Sequence, residues 1–66
     1  MRLVTLTHDL IRVDGGVFRR GTVLTVIGEY RVNTAKARGV RRLCLGDEAG
    51  RVLLPSVEVE CVEEAR

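Results

Sequence analysis

The side chains best suited to catalysis are one histidine and two cysteines, and the pattern around them is sparse. His8 is followed by Asp9, but neighbours on an extended segment point to opposite faces. No serine–histidine arrangement and no second ligand for a metal accompanies them, and Gly15–Gly16 lacks the lysine and helix of a phosphate-binding loop. We therefore predict a solvated loop histidine, no enzyme activity, no metal and no other cofactor.

Cys44 and Cys61 are too few for a disulfide framework or a zinc site. If Leu43 and Leu45 face the core, strand alternation turns Cys44 outward. Alternation from Val57 places Cys61 inward, and opposite faces argue against a disulfide. Cys61 is expected to be a small core residue. The alternative use of Cys44 is redox or nucleophilic, with a thiol acidified by the preceding arginines.

A run of basic residues is the most suggestive charge feature. Between Arg31 and Arg42 the chain carries five basic residues and no acid, although its formal net charge is only +2. Such a segment would hold phosphates without reading bases; alternatively, it only keeps a long loop soluble. Arg19 and Arg20 precede the apolar segment at residues 22–27 and are expected near the same edge. The candidate nucleic-acid-binding residues are Arg31, Lys36, Arg38, Arg41, Arg42, Arg19 and Arg20.

Glycines and a single proline divide the chain into short apolar segments, which is typical of a small all-β fold. Strands are predicted over residues 2–7, 22–27, 40–45, 51–54 and 58–62. The connection before the second strand is expected to form an ordered arm, and residues 35–38 to allow at most one helical turn. Pro55 is expected to end the fourth strand, and residues 63–66 to form a frayed tail.

Two segments resemble SH3-like barrels. Residues 18–26 run from an aromatic through two basic residues, Gly21 and Thr22 into apolar alternation, after a long arm as in that family. Residues 50–59 are similar to the stretch in which the fourth strand ends in Pro55–Ser56. The resemblance implies one domain over residues 1–66: a five-stranded SH3-like barrel with a long first loop and a short 3₁₀ turn before the last strand.

The departures from that family change the expected ligand. Polyproline-binding SH3 domains have tyrosines and tryptophans at three places. The corresponding places in this chain, residues 7–10, residues 42–44 and Val57, contain no aromatic residue. The aromatic groove for polyproline helices is therefore missing. The aliphatic sequence is closer to bacterial SH3-like and KOW-type modules, which bind nucleic acid or protein subunits.

A surplus of aliphatic residues suggests an interaction surface. The predicted core contains Val4, Leu6, Phe18, Leu24, Val26, Leu43, Leu45, Val52, Leu54, Val59 and Cys61. Seven others fall on outer faces or in the arm: Leu3, Ile11, Val23, Ile27, Val40, Leu53 and Val62. A contiguous remainder would be a docking or homodimer face; alternatively, the barrel buries most of them. The candidate interface residues are Val23, Ile27, Val40 and Leu53.

We therefore expect a small regulatory or accessory adaptor that binds a protein or itself, of a size that suits a phage or plasmid accessory protein. The alternative is a barrel that places residues 31–42 against nucleic acid. A subunit that completes an enzyme's active site stays open as a third class. Because the first apolar stretch, residues 3–6, is too short for a leader or a membrane span, we expect a cytoplasmic protein without membrane contact. No small-molecule substrate is expected.

Overall fold

Strands account for most of the chain that the computed structural model describes, which is residues 2–12, 14–36 and 38–65. In these ranges the strands are β1 (Leu3–Leu6), β2 (Leu10–Ile11), β3 (Val17–Phe18), β4 (Val23–Val32), β5 (Val40–Gly46), β6 (Val52–Glu58) and β7 (Val62–Glu64). A 3₁₀ turn, Val59–Cys61, precedes β7. The prediction of an all-β chain with a 3₁₀ turn before its last strand is confirmed. None of the described residues belongs to a helix long and apolar enough to cross a membrane.

Five of the strands form one antiparallel sheet in the order β6-β5-β4-β1-β7, while β2 and β3 form a separate hairpin. β4 is the longest strand and pairs with β1 through its first residues and with β5 through the rest. The register shifts between Val26 and Gly28, so a bulge at Ile27 lies where β4 passes from one partner to the other. β1 pairs with β7 on its other side, Val4 opposite Glu64.

The core lies against one face of this sheet, where alternation along each strand delivers aliphatic side chains. The buried hydrophobic side chains are Val4, Leu6, Leu24, Leu43, Leu45, Leu54 and Val57. Leu10 and Phe18 of the β2–β3 hairpin pack against them. The arm is ordered as predicted, and Leu10 packs against the core, but Ile11 is 78% exposed. Val13, the third apolar residue on which the prediction rested, lies outside the described residues.

Two predictions for β6 are wrong because of its register. Leu45 pairs with Leu54 but Gly46 pairs with Val52, so Leu53 is an extra residue that breaks the alternation. Val52, predicted in the core, is 49% exposed. Leu53, predicted on the outer face, is half-buried and packs against the core.

Pro55 does not end the fourth strand, which continues to Glu58. β6 lies at the edge of the sheet, and an edge strand tolerates a residue without an amide proton. The 3₁₀ turn therefore comes later than the Pro55–Ser56 step, and the last strand is Val62–Glu64 rather than residues 58–62. Residues 63 and 64, predicted in a frayed tail, pair with Thr5 and Val4; Arg66 lies outside the described residues.

The stretch after β4 contains no helical turn in its described residues, 33–36 and 38–39. The Asn33 side chain closes this loop, since its Oδ1 accepts the Gly39 N–H at 3.0 Å. Gly39 has a φ of 68°, which favours glycine and lets the chain enter β5 directly. Ala37, part of the predicted turn, lies outside the described residues.

Candidate protein-binding groove

Two neighbouring cavities form a groove between the β2–β3 arm, the end of β6 and the loop that precedes β5. The loop-side cavity, about 500 Å³, is lined by Val32, Gly39, Val40, Arg41, Arg42, Glu58, Val59 and Glu60. The arm-side cavity, about 340 Å³, is lined by Leu10, Ile11, Arg42, Leu54, Ser56, Val57, Glu58 and Cys61. Arg42 and Glu58 line both. The groove therefore has aliphatic walls on each side of a charged divide.

The loop-side cavity exists because β5 is longer than its partner β6 at this end. The last β5–β6 pair at this end is Arg42 opposite Glu58. After Glu58 the chain leaves β6 and forms the 3₁₀ turn. Val40 and Arg41 still pair with β4 on their other side. The sheet thus has a step at this point, and the cavity occupies it.

The divide between the cavities is an ion pair tied to the end of β6. The Arg42 guanidinium donates from Nη1 to Ser56 Oγ at 2.9 Å and from Nη2 to Glu58 Oε1 at 3.1 Å. The Arg42 side chain is 29% exposed. Because a guanidinium is a rigid fork of donors, this pair fixes the position of both side chains.

A second chain of charges joins three strands, β4, β5 and β7, to the residue before β1. Arg41 and Arg2 both bind the Glu29 carboxylate, and Arg2 also binds Glu64 at 2.6 Å. The hydrogen bond from Arg41, followed by the contact with Arg2, lowers the pKa of Glu29. The hydrogen bond to Glu64 is the main reason that the pKa of Arg2 is raised. The guanidinium of Arg41 is thus occupied within the fold.

The structure brings part of the predicted basic surface together and leaves part of it apart. Arg31 lies opposite Arg41 and donates from Nη1 to the Gly39 carbonyl at 3.3 Å. Lys36 and Arg38 lie in the loop between β4 and β5. Residues 19–20 precede the other end of β4, about 30 Å away along a strand of this length.

The acids that neutralise Arg41 and Arg42 are absent from the basic segment itself. Glu29 lies twelve residues before Arg41, and Glu58 sixteen residues after Arg42. Only the strand register brings them together. A prediction of the β4–β5 and β5–β6 pairings would have identified both acidic partners. Counting charges along the chain does not identify them.

The four predicted interface residues separate into different places. Val40 lines the loop-side cavity, and Leu53 is half-buried against the core. Val23 lines a third cavity, of about 260 Å³, beside the β5–β6 turn. Ile27 approaches Gly46, where its Cγ1 would lie 2.9 Å from a Cβ atom.

Val23 and Ile27 belong to an outer patch that we define as Leu3, Val23, Ile27 and Val52. Leu3, Thr25, Gly46 and Val52 are successive cross-strand partners, so they form one row across four strands. Val23 and Ile27 flank Thr25 along β4. The patch residues are between 36% and 52% exposed. The predicted aliphatic surplus is therefore partly contiguous.

The histidine and the cysteines form no constellation of reactive groups. His8 Nδ1 lies 2.9 Å from Thr7 Oγ1, while the Asp9 carboxylate accepts the Arg20 N–H at 2.6 Å. Cys44 and Cys61 are free thiols. Within residues 2–12, 14–36 and 38–65, no three histidine, cysteine or acidic side chains are placed to hold a metal ion.

Comparison with known proteins gives no match among protein-family models, curated proteins or solved structures. The chemistry of the groove and of the outer patch is therefore the basis on which a function can be assigned.

Proposed function

We propose that this chain is a non-catalytic protein-binding module built on an SH3-like barrel. The sheet order β6-β5-β4-β1-β7 supports the barrel, as do the β2–β3 hairpin that follows β1 and the 3₁₀ turn before β7. The arm and the strand after it agree with what the resemblance of residues 18–26 implies, whereas the 3₁₀ turn comes later than the resemblance of residues 50–59 implies.

The observation that carries the proposed function is the groove. It is concave, has aliphatic walls in both cavities, is divided by Arg42 and Glu58, and has Glu60 among the residues that line the loop-side cavity. Apolar walls with a small number of placed polar groups are the usual composition of a binding site. Two cavities side by side suit an extended segment, whose alternate side chains enter successive pockets.

The outer patch gives the module a second apolar surface, and we therefore propose a small regulatory or accessory adaptor. Its groove holds a segment of one protein while the outer patch contacts another protein or a second copy of the chain. The free thiols of Cys44 and Cys61 suit a reducing compartment, which supports a cytoplasmic location.

The proposed function is tested by selecting random displayed peptides on the folded full chain and mapping their contacts by amide chemical shifts. Selected peptides are expected to shift amides around Val40, Val57 and Val59. Val40→Lys places a positive charge in the loop-side cavity and should weaken binding at least about tenfold. Val23→Lys, a change of equal chemistry in the outer patch, is the matched control and should leave binding unchanged.

Equal affinity for the Val40→Lys and Val23→Lys variants would contradict the groove as the binding site. The native amide spectrum of each variant serves as the folding check. Val40 is 39% exposed and Val23 52% exposed, so neither substitution buries a full charge.

Nucleic acid is a second candidate partner, favoured by Lys36 and Arg38. Neither side chain forms an ion pair with any described residue, and Arg31 lies at the base of their loop. Since Arg41 and Arg42 are neutralised by Glu29 and Glu58, three phosphate contacts remain, which predicts a log–log salt slope of about −3. Absence of retardation of duplex and single-stranded nucleic acid at about 50 mM salt would exclude this candidate.

A further inference from the structure

The loop-side cavity combines an apolar wall with charge that the fold leaves uncompensated. Val32, Val40 and Val59 supply aliphatic surface. A wall of this kind covers the methylene stem of a long side chain as well as it covers an aliphatic one. The charges at the rim distinguish these occupants.

Four charged residues line the cavity, and three of them have partners. Arg41 is bound by Glu29, and Arg42 by Glu58. Glu60 forms no ion pair with any described residue. A ligand that enters therefore meets an uncompensated carboxylate at Glu60 and a singly occupied one at Glu58, whose Oε1 alone receives Arg42.

This arrangement favours one class of partner side chain over the others. An acidic side chain would approach Glu58 and Glu60, and the two arginines already have carboxylate partners. An aliphatic side chain would remove water from Glu60 without replacing its hydrogen bonds, which costs free energy. A long basic side chain complements both the aliphatic wall and the carboxylates, because its stem can lie on the valines while its charged head reaches the carboxylates.

The backbone of β5 offers a way to hold the segment that carries this side chain. Val40 and Arg41 extend past the last β5–β6 pair. In a strand, one of any two successive residues directs its N–H and C=O toward a given edge. One of these two residues therefore directs its N–H and C=O into the step. An extended segment of a partner could pair with these groups in the position where β6 would continue.

We propose that the loop-side cavity binds a lysine or arginine side chain from an extended segment of a partner protein. Glu60 and Glu58 receive the cationic head, and Val32, Val40 and Val59 cover the stem. This inference rests on the proposed protein-binding function and names the chemistry of the partner.

The first test titrates the ¹⁵N-labelled full chain with n-butylguanidinium, a side chain without its peptide. Saturable shifts of the Val40, Val59 and Glu60 amides are expected, with a dissociation constant on the order of millimolar for so small a ligand. Butanol and valerate carry the same butyl stem and should bind at least about threefold more weakly. Equal binding of butanol would overturn the proposal, as would absence of shifts at these amides.

The second test removes the rim charge. Glu60→Gln should weaken n-butylguanidinium binding about threefold, the amount expected for an exposed ion pair. Glu63→Gln makes the same change on β7, outside the cavity, and should leave binding unchanged. An equal loss in both variants would mean that net charge alone attracts the cation, and the proposal would then be wrong.

The peptides selected on the folded chain separate this inference from the function on which it rests. Peptides that map to the groove should carry a lysine or arginine whose replacement by norleucine weakens binding. If groove-binding peptides carry no essential basic residue, the inference fails while the protein-binding function stands. If no selected peptide maps to the groove, the protein-binding function itself fails.

Discussion

The groove and the outer patch are both aliphatic surfaces, but they arise in opposite ways. The outer patch lies where the sheet is continuous, because its row of cross-strand partners passes through β1, β4, β5 and β6 without a gap. The groove lies where the sheet is interrupted, at the step left when β6 ends beside β5. One surface follows from pairing that continues past the bulges at Ile27 and Leu53, and the other from the end of pairing.

This difference predicts what kind of ligand each surface would bind. The loop-side cavity places the carboxylates of Glu58 and Glu60 beside valines, so that orientation and charge of a ligand matter. The outer patch is a row of half-exposed aliphatic side chains without a charged residue among them. Apolar contact is non-directional. We therefore expect the groove to select a ligand by its charge and the outer patch to make non-specific apolar contacts.

The largest expected effect is at Gly46, in the centre of the row that carries the outer patch. A Cβ atom there would collide with the Arg51 carbonyl oxygen and lie 2.9 Å from Ile27 Cγ1. Gly46→Ala should therefore lower the free energy of unfolding by about 2 to 3 kcal/mol, measured by urea denaturation. Gly28→Ala, on the same sheet with open space around it, should change the free energy of unfolding by less than about 1 kcal/mol. An equal loss of stability in the two variants would mean that close packing at Gly46 does not stabilise the row of cross-strand partners.

The next effect concerns the divide of the groove. Arg42→Ala removes the bonds to Ser56 and Glu58 and should lower the free energy of unfolding by about 1 kcal/mol, since the pair is partly exposed to water. Arg51→Ala, a surface arginine without an ion pair to any described residue, should change it by less than about 0.5 kcal/mol. Urea denaturation of the three proteins measures this, and a larger loss for Arg51→Ala would contradict the structural role of Arg42.

A weaker effect is expected from the outer patch. Four half-exposed side chains cover much less than the roughly 800 Å² per partner of a standard interface, on a chain whose whole surface is 4838 Å². Sedimentation equilibrium should therefore detect self-association only at about millimolar concentration. A combined Val23→Lys and Val52→Lys change should abolish it and Val40→Lys should not; the reverse result would assign self-association to the groove.

The smallest effect depends on pH and involves Glu29. Its pKa is lowered in the folded chain from an ordinary value of 4.5, so its contribution to stability is present above that value and disappears as the pH falls through the folded pKa. Glu29→Gln should therefore be less stable than the original chain at about pH 7 and equally stable near pH 2, as measured by thermal unfolding. A difference that persists unchanged near pH 2 would show that the ion pairs of Glu29 with Arg41 and Arg2 do not contribute.

Much of the core could be predicted from the sequence because strand alternation is a local property. Val4 and Leu6 on β1, and Leu43 and Leu45 on β5, are buried as their spacing indicates. Prediction failed along β6 because its alternation is interrupted. The extra residue at Leu53 turns Val52, the residue before it in β6, to the outer face. No local pattern in the sequence marks that bulge.

The groove could not be predicted because it depends on which strands are neighbours. Pro55 ends a central strand but is tolerated in an edge strand, and the sequence alone does not reveal that β6 is at the edge. The same holds for Arg41 and Arg42, whose acidic partners come from other strands. The sequence identifies Val40 as an interface candidate, but the cavity around it is visible only in the structure.

The pairing of β1 with β7 also bears on how the chain folds. Val4 and Glu64 are opposite each other although sixty residues separate them, whereas β4–β5 and β5–β6 join neighbours along the chain. Contacts between distant residues require the costly closure of a long loop and slow the folding reaction. We therefore expect the β4–β5–β6 meander to form first and β7 to dock late. A circular permutant that links residue 65 to residue 2 and opens the turn at residues 47–50 would make that late contact local.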